Sequence, residues 1–233
     1  MLVLGIETST PHTSVALGTE TGVIGSALLG TGPGSHEAVI PMIDQLLTWT
    51  DLKLGSLAGI AVGIGPGLFT GMRVGVATAR TLAQVLGIPV VGMASLDVLA
   101  FPARYSSAVI CAAIDAKRGE VFFAFYRPVP GGVTRETDFE VGSPARLTAE
   151  LQARRESVLV VGNGGLVYRR QLREAGSHVE LATTTMALPS AAAVVELAVP
   201  RFEREEFDRV YDLKPLYIRK SDAEIAWDRR RTG

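Results

Sequence analysis

One cysteine, three histidines and almost no net charge mark this sequence of 233 residues. The single Cys111 lies in the apolar run VICAAI, so no disulfide framework can form within the chain. Buried packing is the expected role for that thiol, and such sparing cysteine usage fits a reducing compartment. His12, His36 and His178 are far apart and show no metal-ligand spacing. Lys and Arg number 23 against 24 Asp and Glu, for a net charge of -1. A protein that grips nucleic-acid phosphates unaided carries a basic excess, so any such contact is expected to be shared with another subunit. No apolar run approaches the ~20 residues that cross a bilayer, and no basic stretch followed by an apolar core opens the chain. A cytoplasmic protein without membrane association is expected. A nucleophile elbow of the G-x-S-x-G type is missing, and the loop GPGLFTG lacks the lysine of a P-loop.

What is present is the composition of a folded α/β protein, 47% hydrophobic and 20% charged. Apolar runs at 2–7, 13–18 and 23–28 read as strands joined by Gly/Thr turns. The loop GTGPG follows at 30–34. Ser35 is then placed to cap a helix running towards Asp51. A strand at 57–63, a loop at 65–70, a helix at 71–86 closed by Gly87 and a short strand at 89–92 complete the first half. The second half repeats the order, with strands at 108–115, 121–126 and 133–140, a helix at 144–154, a strand at 158–162 and a helix at 165–175. A further helix spans 190–203. This repetition predicts a duplicated fold of two lobes, at 1–103 and 104–211. The mixed, basic tail at 212–233, with Lys214, Arg219, Lys220 and Arg229–Arg231, is expected to pack back on the first lobe.

Three constellations stand out. Gly65, Gly67 and Gly71 permit close backbone approach in a strand-to-helix loop, either for an anion at the helix start or as a tight structural turn. In the helix that follows, Gly71, Gly75, Ala79 and Ala83 recur every four residues and form one smooth face. Val39, Ile43, Leu46 and Leu47 line the preceding helix, and Ile40, Met42 and Trp49 widen its apolar surface beyond a single core stripe. Such surplus favours an oligomer interface, with packing on the chain's own sheet as the alternative. Asp115 follows a strand where an acid could act, but Lys117 and Arg118 in the same loop could simply neutralise it. The stretch 160–165, containing Gly162, Asn163 and Gly164, is like an adenosine-binding loop and equally like a glycine-rich turn.

The segments VLGIETST (3–10), SHEAVIPMI (35–43), GIGPGLFTGMRVGVATARTLA (63–83), IPVVGMASLD (88–97), IDAKRGEVF (114–122) and PLYIRKSDAEIAW (215–227) together resemble the TsaB (YeaZ) family over nearly the whole chain. The resemblance implies the duplicated actin/hexokinase-like (ASKHA, ribonuclease H-like) fold. It also implies a part in making N6-threonylcarbamoyladenosine (t6A) beside the anticodon of tRNA, alongside the catalytic paralogue TsaD and the ATPase TsaE. TsaD-like enzymes carry the metal motif HLEGH, where this chain has Ser95-Leu96-Asp97-Val98-Leu99. Neither Ser95 nor Leu99 can replace an imidazole ligand. Their ETSCDET segment has an acidic pair, where this chain has Pro11 and His12. Lys117 and Arg118 also crowd a loop that ATP-using relatives keep small.

The expectation that follows is a non-catalytic partner of TsaD, reaching tRNA only through the complex and forming a homodimer when alone. Val39, Ile40, Ile43, Leu47, Phe69, Gly71, Arg73, Gly75, Ala79 and Ala83 are the expected partner interface. No metal site and no tightly bound cofactor are expected. Glu7, Thr8, Ser9, Asp115, Gly162, Asn163 and Gly164 form the candidate nucleotide cleft, with ATP or ADP binding left open. The rival class is an enzyme in its own right, an ATP-dependent phosphotransferase or a peptidase. A phosphotransferase would need a carboxylate-bound magnesium ion, for which Glu7 and Asp115 are the candidates.

Overall fold

The structure, a computed structural model, describes residues 1–30 and 36–219. The GTGPG loop beyond Gly30, the Ser35 cap, Lys220 and Arg229–Arg231 lie outside the described residues. The first half contains β1 (Val3–Glu7), β2 (Thr13–Thr19), β3 (Gly22–Leu29), α1 (Val39–Thr50), β4 (Gly59–Gly65), α2 (Phe69–Leu86), β5 (Val90–Ala94) and α3 (Ser95–Ala100). The second half contains β6 (Val109–Lys117), β7 (Glu120–Val129), β8 (Gly132–Arg135), β9 (Glu140–Gly142), α4 (Pro144–Ala153), β10 (Val158–Val161), α5 (Asn163–Val167), α6 (Arg169–Leu172), β11 (Val179–Leu181) and α7 (Ala191–Glu203). Among the described residues no helix is long and apolar enough to cross a membrane.

The first sheet has the order β3-β2-β1-β4-β5 and the second, read from its other edge, β8-β7-β6-β10-β11. In each, an antiparallel three-stranded meander is followed by two parallel strands. The two halves therefore share one topology, and the duplication expected from element order is present in the strand pairing itself. Nearly continuous apolar runs build the central strands because both sheet faces are covered. On β1, Leu4 and Ile6 face α1 and α2, while Val3 faces α7.

The structure corrects the expected division of the chain. Helix α7 was assigned to the second lobe of 104–211, but it covers the first sheet on the face opposite α1 and α2. A Cβ at Gly5 would lie 2.6 Å from the Ala191 carbonyl, and Ala191 N donates to Ser14 Oγ at 3.1 Å. Without α7, Val3, Ala16, Ala61 and Val91 would face water, a cost set by their buried apolar area. The chain then runs along β5, where Asp208 N donates to Val90 O at 2.9 Å and Gly92 N to Asp208 Oδ2 at 2.7 Å. Leu216 N reaches Ile64 O at 2.8 Å, whereas Arg219 pairs with Glu120 of the second lobe at 2.7 Å. The described tail thus touches both lobes, not the first alone.

Smaller departures have local causes. The strand expected at 133–140 divides into β8 and β9, both paired with β7. The helix expected at 165–175 is broken at Tyr168, whose hydroxyl turns to Asp115 at 3.0 Å.

Candidate functional site

Glu7 ends β1 and is almost wholly buried. Ser9 N donates to its Oε1 at 2.6 Å and Ser95 Oγ to its Oε2 at 3.0 Å, while Ser95 Oγ accepts from Gly65 N at 3.1 Å. Burial pushes the Glu7 carboxyl above its ordinary range, and the Ser9 and Ser95 bonds only partly oppose this. Thr8 Oγ1 donates to Gly71 O at 2.7 Å, and Leu68 N donates to Ser9 O at 2.7 Å. The loop after β1 is therefore tied to the start of α2 by hydrogen bonds. Ser95 had been noted only as a lost ligand position; here it joins Glu7 to the glycine loop. Leu99, the other such position, packs in the core of the second lobe.

The second half of the candidate nucleotide cleft is similarly committed to internal contacts. Asp115 accepts from Lys117 N at 3.0 Å, Lys117 Nζ at 2.8 Å and Tyr168 OH at 3.0 Å. Asp115 N donates to Asn163 Oδ1 at 3.0 Å. Gly162 has φ 104°, and a Cβ there would overlap the Ala113 carbonyl. At Gly164 a Cβ would lie 2.9 Å from the same carbonyl. These glycines give the loop close approach to β6 and leave no open phosphate cradle between them. The seven residues do not line one cavity: Glu7, Thr8 and Ser9 pack on α2, and Asp115, Gly162, Asn163 and Gly164 pack on one another and on β6.

The expected partner interface needs a similar correction. Gly71, Gly75, Ala79 and Ala83 face inward. A side chain at Gly71 or Gly75 would overlap Thr8, so the smooth stripe accommodates the chain's own β1 loop rather than a foreign helix. Val39, Ile43 and Leu47 belong to the first-lobe core. Of the ten residues only Ile40, Phe69 and Arg73 are exposed. Trp49 and Val85, at 69% and 78% exposure, are the larger apolar side chains left outside on α1 and α2.

Phe69 and Arg73 instead line a cavity of about 660 Å³ between the lobes. Its walls bring together the start of α2, the β6–β7 turn with Lys117 and Arg118, and the tail with Tyr217 and Arg219. No acidic side chain lines it among the described residues. Arg73 Nε donates to Tyr217 OH at 3.0 Å, and its guanidinium carbon lies 3.7 Å from the Phe69 ring centre. The Phe69 and Tyr217 rings are 5.1 Å apart. His36 also lines the cavity, and burial pushes its pKa down. Sequence reasoning singled out neither Tyr217 nor Phe122 as cavity residues. Their signal was weak, because residues 216–219 approach the rest of this site only through tertiary folding.

Comparison with known proteins places this architecture. The family model for TsaD, tRNA N6-adenosine threonylcarbamoyltransferase, matches residues 33–227. The tRNA threonylcarbamoyladenosine biosynthesis protein TsaB of Escherichia coli is 29% identical, over 97% of this chain and 97% of its own. The protein of the same name from Bacillus subtilis is 29% identical over 97% and 98%. YeaZ from Pseudomonas aeruginosa superposes with a TM-score of 0.80 at 28% identity, covering 93% of this chain and 99% of that one. Another solved P. aeruginosa structure, described as an uncharacterized protein with similarity to peptidase YeaZ, gives the same TM-score and identity over 94% and 99%. With its duplicated sheets and matching from end to end, the chain belongs to the tRNA N6-adenosine threonylcarbamoyltransferase family, in its TsaB (YeaZ) group.

Proposed function

We propose that this chain is a non-catalytic cytoplasmic subunit of the machinery that makes t6A in tRNA, and that it acts by binding and activating TsaD, with TsaE as a further partner. The observation that carries this reading is the fate of the two positions where TsaD-like enzymes hold a metal. Ser95 is bonded to Glu7 and to the glycine loop, and Leu99 lies in an apolar core. Neither side chain offers an imidazole, so the transfer of the threonylcarbamoyl group from its adenylate to the adenosine N6 amine is assigned to TsaD.

The outer sides of α1 and α2 are the proposed docking surface. Ile40, Trp49 and Val85 are exposed there at 53%, 69% and 78%, and large apolar side chains left in water favour an interface. The same surface would pair two copies when TsaD is absent, and tRNA would be engaged by the assembly as a whole.

Reconstitution tests the proposal. TsaD and TsaE are assayed for t6A formation with and without this chain, and co-purification with TsaD is measured alongside. Dependence of t6A on the chain, together with a stable complex, is expected. Full activity without it, or peptidase or phosphotransferase turnover by the isolated chain, would overturn the reading.

A further inference from the structure

We propose that the interlobe cavity binds a nucleoside phosphate, its base against the Phe69–Tyr217 wall and its phosphate among Arg73, Lys117 and Arg118. This goes beyond the subunit role, because it assigns a ligand site to this chain alone. It also lies apart from the residues at which the sequence suggested a nucleotide cleft.

Size, charge and surface chemistry converge on that ligand. The volume of about 660 Å³ falls within the ~300–1,000 Å³ typical of small-molecule sites. Cationic side chains enter from three separate parts of the chain, with Arg73 on α2, Lys117 and Arg118 on the β6–β7 turn, and Arg219 on the tail. Lys117 and Arg219 are partly neutralised by Asp115 and Glu120. Among the described residues Arg73 meets no carboxylate, and its contacts are the Phe69 ring and the Tyr217 hydroxyl.

The aromatic wall sets the ligand class. Phe69 and Tyr217 are 36% and 45% exposed although their rings are only 5.1 Å apart. Accessible rings beside a guanidinium are the surface on which unpaired bases stack, worth about 1–3 kcal/mol per base. An acidic peptide would use the cations and leave the rings idle. The cationic turn is also held in an unusual backbone state: Lys117 and Arg118 have φ of 61° and 57°. Left-handed conformations cost an L-residue roughly 1–2 kcal/mol, and here they carry two cations to the cavity wall.

The base-plus-phosphate chemistry is common to a free nucleotide and to an unpaired nucleotide of an RNA. Calorimetric titration of the isolated full-length chain separates the sources, using AMP and ADP in one arm and a short single-stranded oligoribonucleotide in the other. Adenosine and inorganic phosphate serve as the two half-ligands. Saturable binding in at least one arm is expected, with each half-ligand at least about tenfold weaker. Arg73→Gln and Phe69→Leu should each weaken binding about tenfold with unchanged circular dichroism and melting temperature. Arg170→Gln, on α6 outside the cavity, should leave binding as it is. Lys117→Gln supplies an independent test should either of the first two variants fold poorly. Absence of saturable binding in both arms, phosphate binding as tightly as the nucleotides, or indifference to all three cavity variants would overturn the proposal.

Discussion

The Thr8 hydroxyl donates to the Gly71 carbonyl at 2.7 Å, and in doing so it occupies the space that a side chain one turn further along α2, at Gly75, would need. Gly75→Ala is therefore expected to destabilise the protein by about 1–3 kcal/mol from overpacking, although alanine is intrinsically better in a helix by about 1 kcal/mol. The double variant Thr8→Ala/Gly75→Ala should recover part of that loss, because the clash and its partner are removed together. Urea denaturation of the single and double variants measures the coupling, and strict additivity would show that the two residues do not compete for the same space.

The same contact explains why the helix stripe was misread from sequence. A row of Gly and Ala every four residues announces close approach, but spacing does not say what approaches. Here it is the loop after β1, seventy residues earlier in the chain's folding neighbourhood only through the parallel pairing of β1 with β4. The strands, α1, α2 and the duplicated order were legible because each is a local pattern of apolar residues and turn formers. The six-residue α3 is too short to display a period, and the placement of α7 on the first sheet depends on which face was left uncovered. The cavity was illegible for a related reason: its walls come from α2, a hairpin turn and the tail, none of which carries a signal of the other two.

Trp49 and Ile40 are expected to matter to assembly and little to folding, since both are exposed on α1. Trp49→Asp should weaken the complex with TsaD by at least about tenfold, in the range of aromatic hot-spot losses. Its unfolding midpoint should move little, because surface changes are usually within about 0.5 kcal/mol. Binding measured by calorimetry and stability measured by urea separate these effects. Unchanged affinity for both Trp49→Asp and Ile40→Asp would remove this face of α1 from the interface.

Tyr126 OH donates to Asp97 Oδ1 at 2.8 Å, on the edge of the core that α3 shares with the second sheet. Burial pushes the Asp97 carboxyl up, and the Tyr126 bond acts against that shift. Tyr126→Phe removes a bond to a charged acceptor and should cost about 1.5–3 kcal/mol at neutral pH. The cost should shrink as acid protonates Asp97, since the bond favours the ionised form. A cost independent of pH would mean that the hydroxyl contributes through packing alone.

Glu7 makes a sharper pH prediction, because its carboxyl is buried and its pKa in the folded chain is raised, chiefly by loss of water. The folded state then holds this proton more tightly than the unfolded state does. Between the ordinary carboxylate range and the raised value, the folded protein binds more protons, so this group lowers stability as pH rises through that window. Glu7→Gln cannot ionise and resembles the protonated acid in size and bonding. It should lie close to the parent protein at acid pH and become the more stable of the two as pH increases, the difference levelling off above the folded pKa. Other titrating groups are shared and cancel in the comparison. Glu7→Ala, by contrast, should be destabilised at every pH by about 1–3 kcal/mol, because Ser9 N and Ser95 Oγ lose their buried acceptor. Urea denaturation of the three proteins from acid to mildly alkaline pH reads both effects. A pH-independent gap between parent and Glu7→Gln would show that Glu7 keeps its charge in the folded chain at all pH values measured.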